Sequence, residues 1–137
     1  MQLKAGLHHQ SGSVCGLCVG KLDQAAPELR RWFKEMKAIF PTLHVSCAYR
    51  GKEEQNKAFA SGKSKLKFPE SRHNAVDRDG RPAARALDVF SLTEEGIASF
   101  AAPFYEAIWK ECKKRQDCVV WGGNWKSLGD ANHFELI

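Results

Sequence analysis

The most constraining stretch of the chain is Arg85-Ala86-Leu87-Asp88-Val89-Phe90, where one carboxylate interrupts an apolar run of strand character. Burying a charge among such neighbours is strongly unfavourable unless it is paired or bound to a cation. Asp88 therefore needs partners, and the fold must bring them. Two histidines in turn-rich or terminal settings are candidates: His73, after Ser71-Arg72 in a long polar loop, and His133, near the end of Trp121-Gly122-Gly123-Asn124-Trp125-Lys126-Ser127-Leu128-Gly129-Asp130-Ala131-Asn132-His133-Phe134-Glu135-Leu136-Ile137. A lone histidine is more often a hydrogen-bonded core or surface residue. Two imidazoles and a carboxylate together, however, make the ligand count of an open catalytic zinc site.

At 137 residues, 43% of them hydrophobic, the chain can form a single domain with a real core. Residues 1–22 carry several glycines and no sustained periodicity, so they read as an irregular arm, and residues 23–137 as the domain. Asp23 is placed to cap a helix whose apolar positions, Ala26, Leu29, Trp32, Phe33, Met36, Ile39 and Phe40, recur at helical spacing up to Pro41. Leu43 to Tyr49 alternates like a strand, Lys52 to Ala60 suits a short helix ended by Ser61-Gly62, and Ser64 to Pro82 reads as a long loop. After the Asp88 strand, Thr93 is expected to cap a helix from Glu94 to about Gln116, with Pro103 either kinking it or starting a second one. Cys118 to Trp121 and Asn132 to Leu136 complete the set as strands. The expected architecture is α+β: a small antiparallel sheet with helices mainly on one side and a single zinc site at the sheet.

The net charge of +5 invites an anionic partner. Its lysines and arginines are dispersed, without the basic, aromatic-interleaved stripe of a nucleic-acid surface, so no nucleic acid is expected and an anionic cell wall fits the balance as well. No apolar run approaches the roughly 18 residues of a membrane span, and no signal-peptide core is visible, so neither stable membrane insertion nor secretion is expected. The five cysteines, an odd set, read as reduced thiols. Cys15 and Cys18, with His8 and His9 nearby, have zinc-knuckle spacing but no second pair, and read as plain thiols ahead of a metal knuckle.

Asp130, three residues before His133, is placed to take a proton from attacking water and return it to a leaving amine; without the histidine it would read as a turn residue. Arg50, after the first strand, could bind a substrate carboxylate or an oxyanion. The ordered set Tyr49-Arg50, Glu54-Gln55, Ser71-x-His73, Ala86-x-Asp88, Trp121-Gly122-Gly123 and Asp130-x-x-His133 resembles the zinc peptidases that include D-alanyl-D-alanine carboxypeptidases and L-alanyl-D-glutamate endopeptidases, above all the small phage endolysins. The resemblance spans roughly residues 23–137.

It implies zinc as cofactor on His73, Asp88 and His133, Asp130 as general base, and Arg50 as both a catalytic and a substrate-binding group, with Gln55, Ser71 and Trp121 also on the substrate side. It further implies a hydrolase, acting as a monomer on peptidoglycan stem peptides at the L-Ala-D-Glu bond. Such an endolysin would stay in the host cytoplasm until released toward the periplasm and wall. A D-Ala-D-Ala carboxypeptidase or a non-catalytic, zinc-containing wall-binding domain are the alternatives. The family pattern keeps its first histidine and aspartate closer together; here Asn74 to Ala83 intervenes as a hairpin tip turning at Asp79-Gly80, and Ala84 stands where glycine is usual. Asp77 and Asp79 thus compete with Asp88, which its apolar flanks and the Ala-x-Asp match favour.

Overall fold

The computed structural model describes residues 16–124 and 130–137. Of the thiol pair only Cys18 falls within them; Cys15, His8, His9 and the turn residues Trp125 to Gly129 lie outside.

Five strands form one antiparallel sheet: β1 (Leu43–Cys47), β2 (Ala86–Leu92), β3 (Ala98–Ser99), β4 (Val119–Trp121) and β5 (His133–Leu136), in the order β1-β2-β5-β4 with β3 also paired to β2. β5 pairs with the first half of β2 (Asp88 opposite His133) and β3 with its end (Ser91 opposite Ser99), so both extend the same edge of β2. Strand alternation separates two faces. Leu87 and Val89 of β2 and Phe134 and Leu136 of β5 join the core, while Asp88, His133 and Glu135 point the other way, into a cleft. Between Val45 and Cys47 the β1 register slips by a bulge, which sets Cys47 directly opposite Asp88. A bulge re-aims the side chains that follow it, and here it turns Cys47 toward His73 and Asp88.

The helices are α1 (Gly16–Leu22), α2 (Pro27–Ile39), α3 (Lys52–Ala60) and α4 (Ala102–Arg115). The core face of the sheet packs against Leu29, Trp32, Phe33 and Met36 of α2 and Tyr105, Ile108 and Cys112 of α4. Each large apolar side chain buried there contributes about 1.5–3 kcal/mol. The expected α+β architecture, with a group of potential metal ligands at the sheet, is therefore present. No helix among the described residues is long and apolar enough to cross a membrane.

Three element boundaries differ from expectation. Gly16–Leu22 is helical instead of irregular, because Cys18 and Leu22 bury their side chains in the core and tertiary packing outweighs the low helix propensity of glycine. Asp23 does not cap α2: the helix starts at Pro27 after Ala26, since proline presets the backbone angle of a first helical residue. Thr93 does not start a helix either. Its backbone N–H donates to Ile97 O and its hydroxyl accepts from Ile97 N–H, both at 3.0 Å, closing a turn around Gly96 (φ +83°) that feeds β3. Pro103 then sits in the first turn of α4, where its missing N–H is no loss.

The segment between His73 and Asp88 carries the expected hairpin tip. Val76 and Pro82 form an antiparallel bridge, and Gly80 turns the chain with φ +82°. Asp77 accepts from the N–H groups of Asp79 and Arg81, and both aspartates pair with Arg81 in solvent. Neither Asp77 nor Asp79 lines the cleft.

Candidate metal centre and cleft

The cleft, of about 640 Å³, is open and lined by Arg50, Ser71, Arg72, His73, Asp88, Asp130, His133 and Glu135, with Lys63 and Lys65 on its rim. Asp88 is its hub. One carboxylate oxygen, Oδ1, lies 3.4 Å from His73 Nε2 and 3.1 Å from His133 Nδ1, and the other, Oδ2, lies 3.6 Å from Arg50 Nη2. The two imidazole rings stand edge to face with centroids 5.1 Å apart. Asp130 Oδ2 is 3.7 Å from His133 Nδ1. Asp88 belongs to two clusters of potential ligands, Cys47–His73–Asp88 and Asp88–Asp130–His133, each with ligand atoms within 4.8 Å of one another.

Local structure holds each group. His73 lies in a 3₁₀ turn, Arg72–Asn74, closed by a reciprocal cap: Ser71 Oγ accepts from His73 N–H, and Asn74 Oδ1 accepts from Ser71 N–H. His133 opens β5, and its N–H donates to Asp130 O, which sets the acidic group beside the ring. Gly122 is needed under this turn. A Cβ there would come 2.6 Å from Asp130 O and 3.1 Å from the Cβ atoms of Asp130 and His133.

The partner of each ring nitrogen assigns its tautomer. His73 Nδ1 is 2.7 Å from Ala48 O, which can only accept, so Nδ1 carries the proton and Nε2 is left with a lone pair. That Nε2 is buried and has no hydrogen-bond partner among the described residues. His133 has an acceptor at each nitrogen, Glu135 Oε1 2.8 Å from Nε2 and Asp88 Oδ1 3.1 Å from Nδ1, so the ring is protonated on both unless a cation at Nδ1 leaves the single proton on Nε2. Two imidazole nitrogens thus converge on one carboxylate oxygen, which is itself an acceptor. Such an arrangement calls for protons or a cation between the three atoms. Ligands held at ~2.0–2.1 Å by a tetrahedral zinc ion stand roughly 3.3 Å apart, close to the 3.1 and 3.4 Å separations found here. The donor set and the orphaned nitrogen fit a metal ion, and so do the two His–Asp88 separations, while His73 and His133 themselves belong to separate ligand clusters that share Asp88.

Without a cation, protons fill the same role. Burial lowers the pKa of His73, but the close contacts with Asp88 and Cys47 and the Asp88 charge outweigh it and push it up to about 10. Burial alone would raise Asp88; the two histidines reverse this and hold it far below the carboxylate range. Asp130 is shifted the other way. Burial, then the Asp88 charge, raises it, against smaller opposing effects of His133, His73 and Arg50. A raised carboxyl suits a group that must both accept and return a proton.

The residues expected on the substrate side divide. Arg50 and Ser71 line the cleft; Gln55 and Trp121 do not. Gln55 is fully buried beneath it, its Oε1 accepting from Arg50 Nη1 (3.0 Å) and Asn74 Nδ2 (3.2 Å) and its Nε2 donating to Ser64 Oγ and Leu66 O. It ties Arg50, the lysine-bearing rim and the His73 turn together. Trp121, paired opposite Phe134, stacks on that ring on the core side and donates from Nε1 to Ala131 O at 2.7 Å. It braces the turn that carries Asp130 and His133, and so acts on the site from behind it. Cys47, Arg72 and Glu135 escaped the sequence reading. The two-residue spacing of His133 and Glu135 along a strand was the available signal for Glu135; Cys47 arrives only through the bulge.

No protein-family model matches the chain. Among solved structures, the fold is similar to that of the Serratia marcescens L-Ala D-Glu endopeptidase ChiX, with a TM-score of 0.70 and 24% sequence identity over 89% of this chain and 87% of that one.

Proposed function

We propose that the chain is a metal-dependent peptidase of the bacterial cell wall. Within that class the reading is a zinc endopeptidase that cuts peptidoglycan stem peptides at the L-Ala-D-Glu bond, acts as a monomer and serves phage-driven lysis. The observation that carries it is the convergence of His73 Nε2, His133 Nδ1 and Asp88 in an open cleft, with a raised carboxyl at Asp130 and a guanidinium at Arg50 beside them. The shared fold with an endopeptidase named for that bond supports the choice of substrate.

His73, Asp88 and His133 would hold the zinc ion, which when bound supplies Lewis acidity toward water and the scissile carbonyl. Asp130 takes the proton from the attacking water and passes it to the departing amine. Arg50, fixed by Gln55 and Asp88, presents its remaining N–H groups to the oxygen on which negative charge develops. Lys63 and Lys65 give the rim positive charge for the free carboxylates of stem peptides. Access to the wall from the cytoplasm would depend on a separate membrane-permeabilising factor.

The test is digestion of purified peptidoglycan, with mass spectrometry of the products beside metal analysis of the protein. New N-terminal D-Glu with one bound zinc is the expected result. Release of free D-Ala with the L-Ala-D-Glu bond intact would mark a carboxypeptidase. Wall binding without cleavage, unchanged in Asp130→Ala, would mark a non-catalytic binding domain.

A further inference from the structure

Glu135 and Arg72 lie against the site without belonging to the ligand set or to the proton path. Glu135 Oε1 receives His133 Nε2–H at 2.8 Å, and its other oxygen, Oε2, pairs with Arg72 Nε at 2.8 Å. The carboxylate is mostly buried, with 17% of its side chain exposed, so both oxygens are spent on named partners in a sheltered place. Charge-assisted bonds of this length are among the stronger hydrogen bonds a protein makes. Burial pushes the Glu135 carboxyl up, but the bond and charge of His133, then Arg72, bring it below its ordinary value.

The positions of the two residues add a second point. Glu135 is two residues from His133 on β5, hence on the same face, and Arg72 immediately precedes His73 in the 3₁₀ turn. The Arg72–Glu135 pair therefore straps together the two segments that carry the histidines. Its partner chain runs from Arg72 through Glu135 to the far nitrogen of His133.

We infer that Glu135 is a positioning residue for the metal site, fixing the tautomer and orientation of His133 so that Nδ1 faces Asp88, and that Arg72 holds Glu135 in place. A carboxylate on the outer nitrogen of a ligating histidine also makes the ring more basic as a ligand, and losing such a partner typically weakens metal binding 10–100-fold. The inference rests on the reading of His73, Asp88 and His133 as a metal site, and adds to it two cleft residues outside the ligand set.

The experiment measures zinc affinity directly, by competition with a chromophoric chelator, for the wild-type protein, Glu135→Ala, Glu135→Gln and Arg72→Ala. Glu135→Ala should bind zinc roughly 10–100-fold more weakly. Glu135→Gln, which keeps an acceptor, should recover part of that loss, and Arg72→Ala should show a smaller loss in the same direction. The losses in Arg72→Ala and in Glu135→Ala should not add in the double variant, because both act through one contact. Arg72 has 44% of its side chain exposed, so its removal leaves the fold intact and keeps the test decisive if Glu135→Ala is unstable. Wild-type affinity in folded Glu135→Ala and Arg72→Ala, or a rise in KM with zinc affinity unchanged, overturns the inference while leaving the metal site standing. A wild-type protein that binds no zinc overturns both.

Discussion

Asp88 and His133 are direct partners across β2 and β5, and the pairing puts the carboxylate Oδ1 3.1 Å from the imidazole Nδ1. Two of the three proposed ligands are thus set by sheet register alone, and only His73 comes from a turn. Asp88→Asn keeps the shape and removes the charge that draws a cation in. Zinc content after dialysis should fall to near nothing while the circular dichroism spectrum is retained; full zinc occupancy in Asp88→Asn would remove Asp88 from the ligand set.

Asp130 should separate from the ligands. It is half-buried at the mouth of the cleft, and its proposed work is proton transfer. Asp130→Asn should keep its zinc and lose about 10²–10⁴-fold in kcat with little change in KM. A variant that loses zinc in proportion to activity would instead place Asp130 in the metal shell.

Much of this site was legible because burying charge is unfavourable. Asp88, set in Ala-Leu-Asp-Val-Phe, needs partners, and His73 and His133 supply them in the fold. The sheet was legible through its alternation, and α2 through its 3.6-residue spacing. Other features depend on the folded structure. Cys47 reaches His73 and Asp88 because β1 bulges, and nothing in Leu43 to Tyr49 marks a bulge. Lys37 is fully buried, its ammonium donating to the carbonyl of Leu43 at 2.8 Å, whereas its sequence neighbourhood reads as a solvated helix face. Trp121 packs on Phe134 at the edge of the core, and an aromatic beside glycines suits that place as well as a cleft wall. The stretch from Thr93 to Ser99 looked helical by composition, and the left-handed turn at Gly96 decided otherwise.

Gly122 makes a steric prediction. Its Cβ position is occupied by the backbone of Asp130 and crowded by His133, so Gly122→Ala must push the acidic turn away from the metal side. Overpacking of this kind costs about 1–3 kcal/mol. Thermal melts should show the destabilisation, and activity should drop further than the lost stability explains, since a small displacement of a proton-transfer group is felt strongly. Wild-type activity in Gly122→Ala would mean that the turn can move without consequence.

The metal-free protein should have a stability profile shaped by the same cluster. His73 has a folded pKa of about 10, above the ordinary value of about 6.5. Its contribution is therefore complete below about pH 6.5 and is lost as pH rises toward 10. Asp88 is held below its unfolded value of about 3.9, so its contribution is present above that pH and is lost as pH falls through the acid range. Chelator-treated protein should thus melt highest between about pH 4 and 6.5, and its melting temperature should decline on the alkaline side. Zinc reverses the alkaline limb. It displaces the His73 proton, so its affinity rises with pH and the melting temperature of the zinc-loaded protein should hold where that of the metal-free form declines. Parallel profiles with and without zinc would separate the histidine cluster from metal binding.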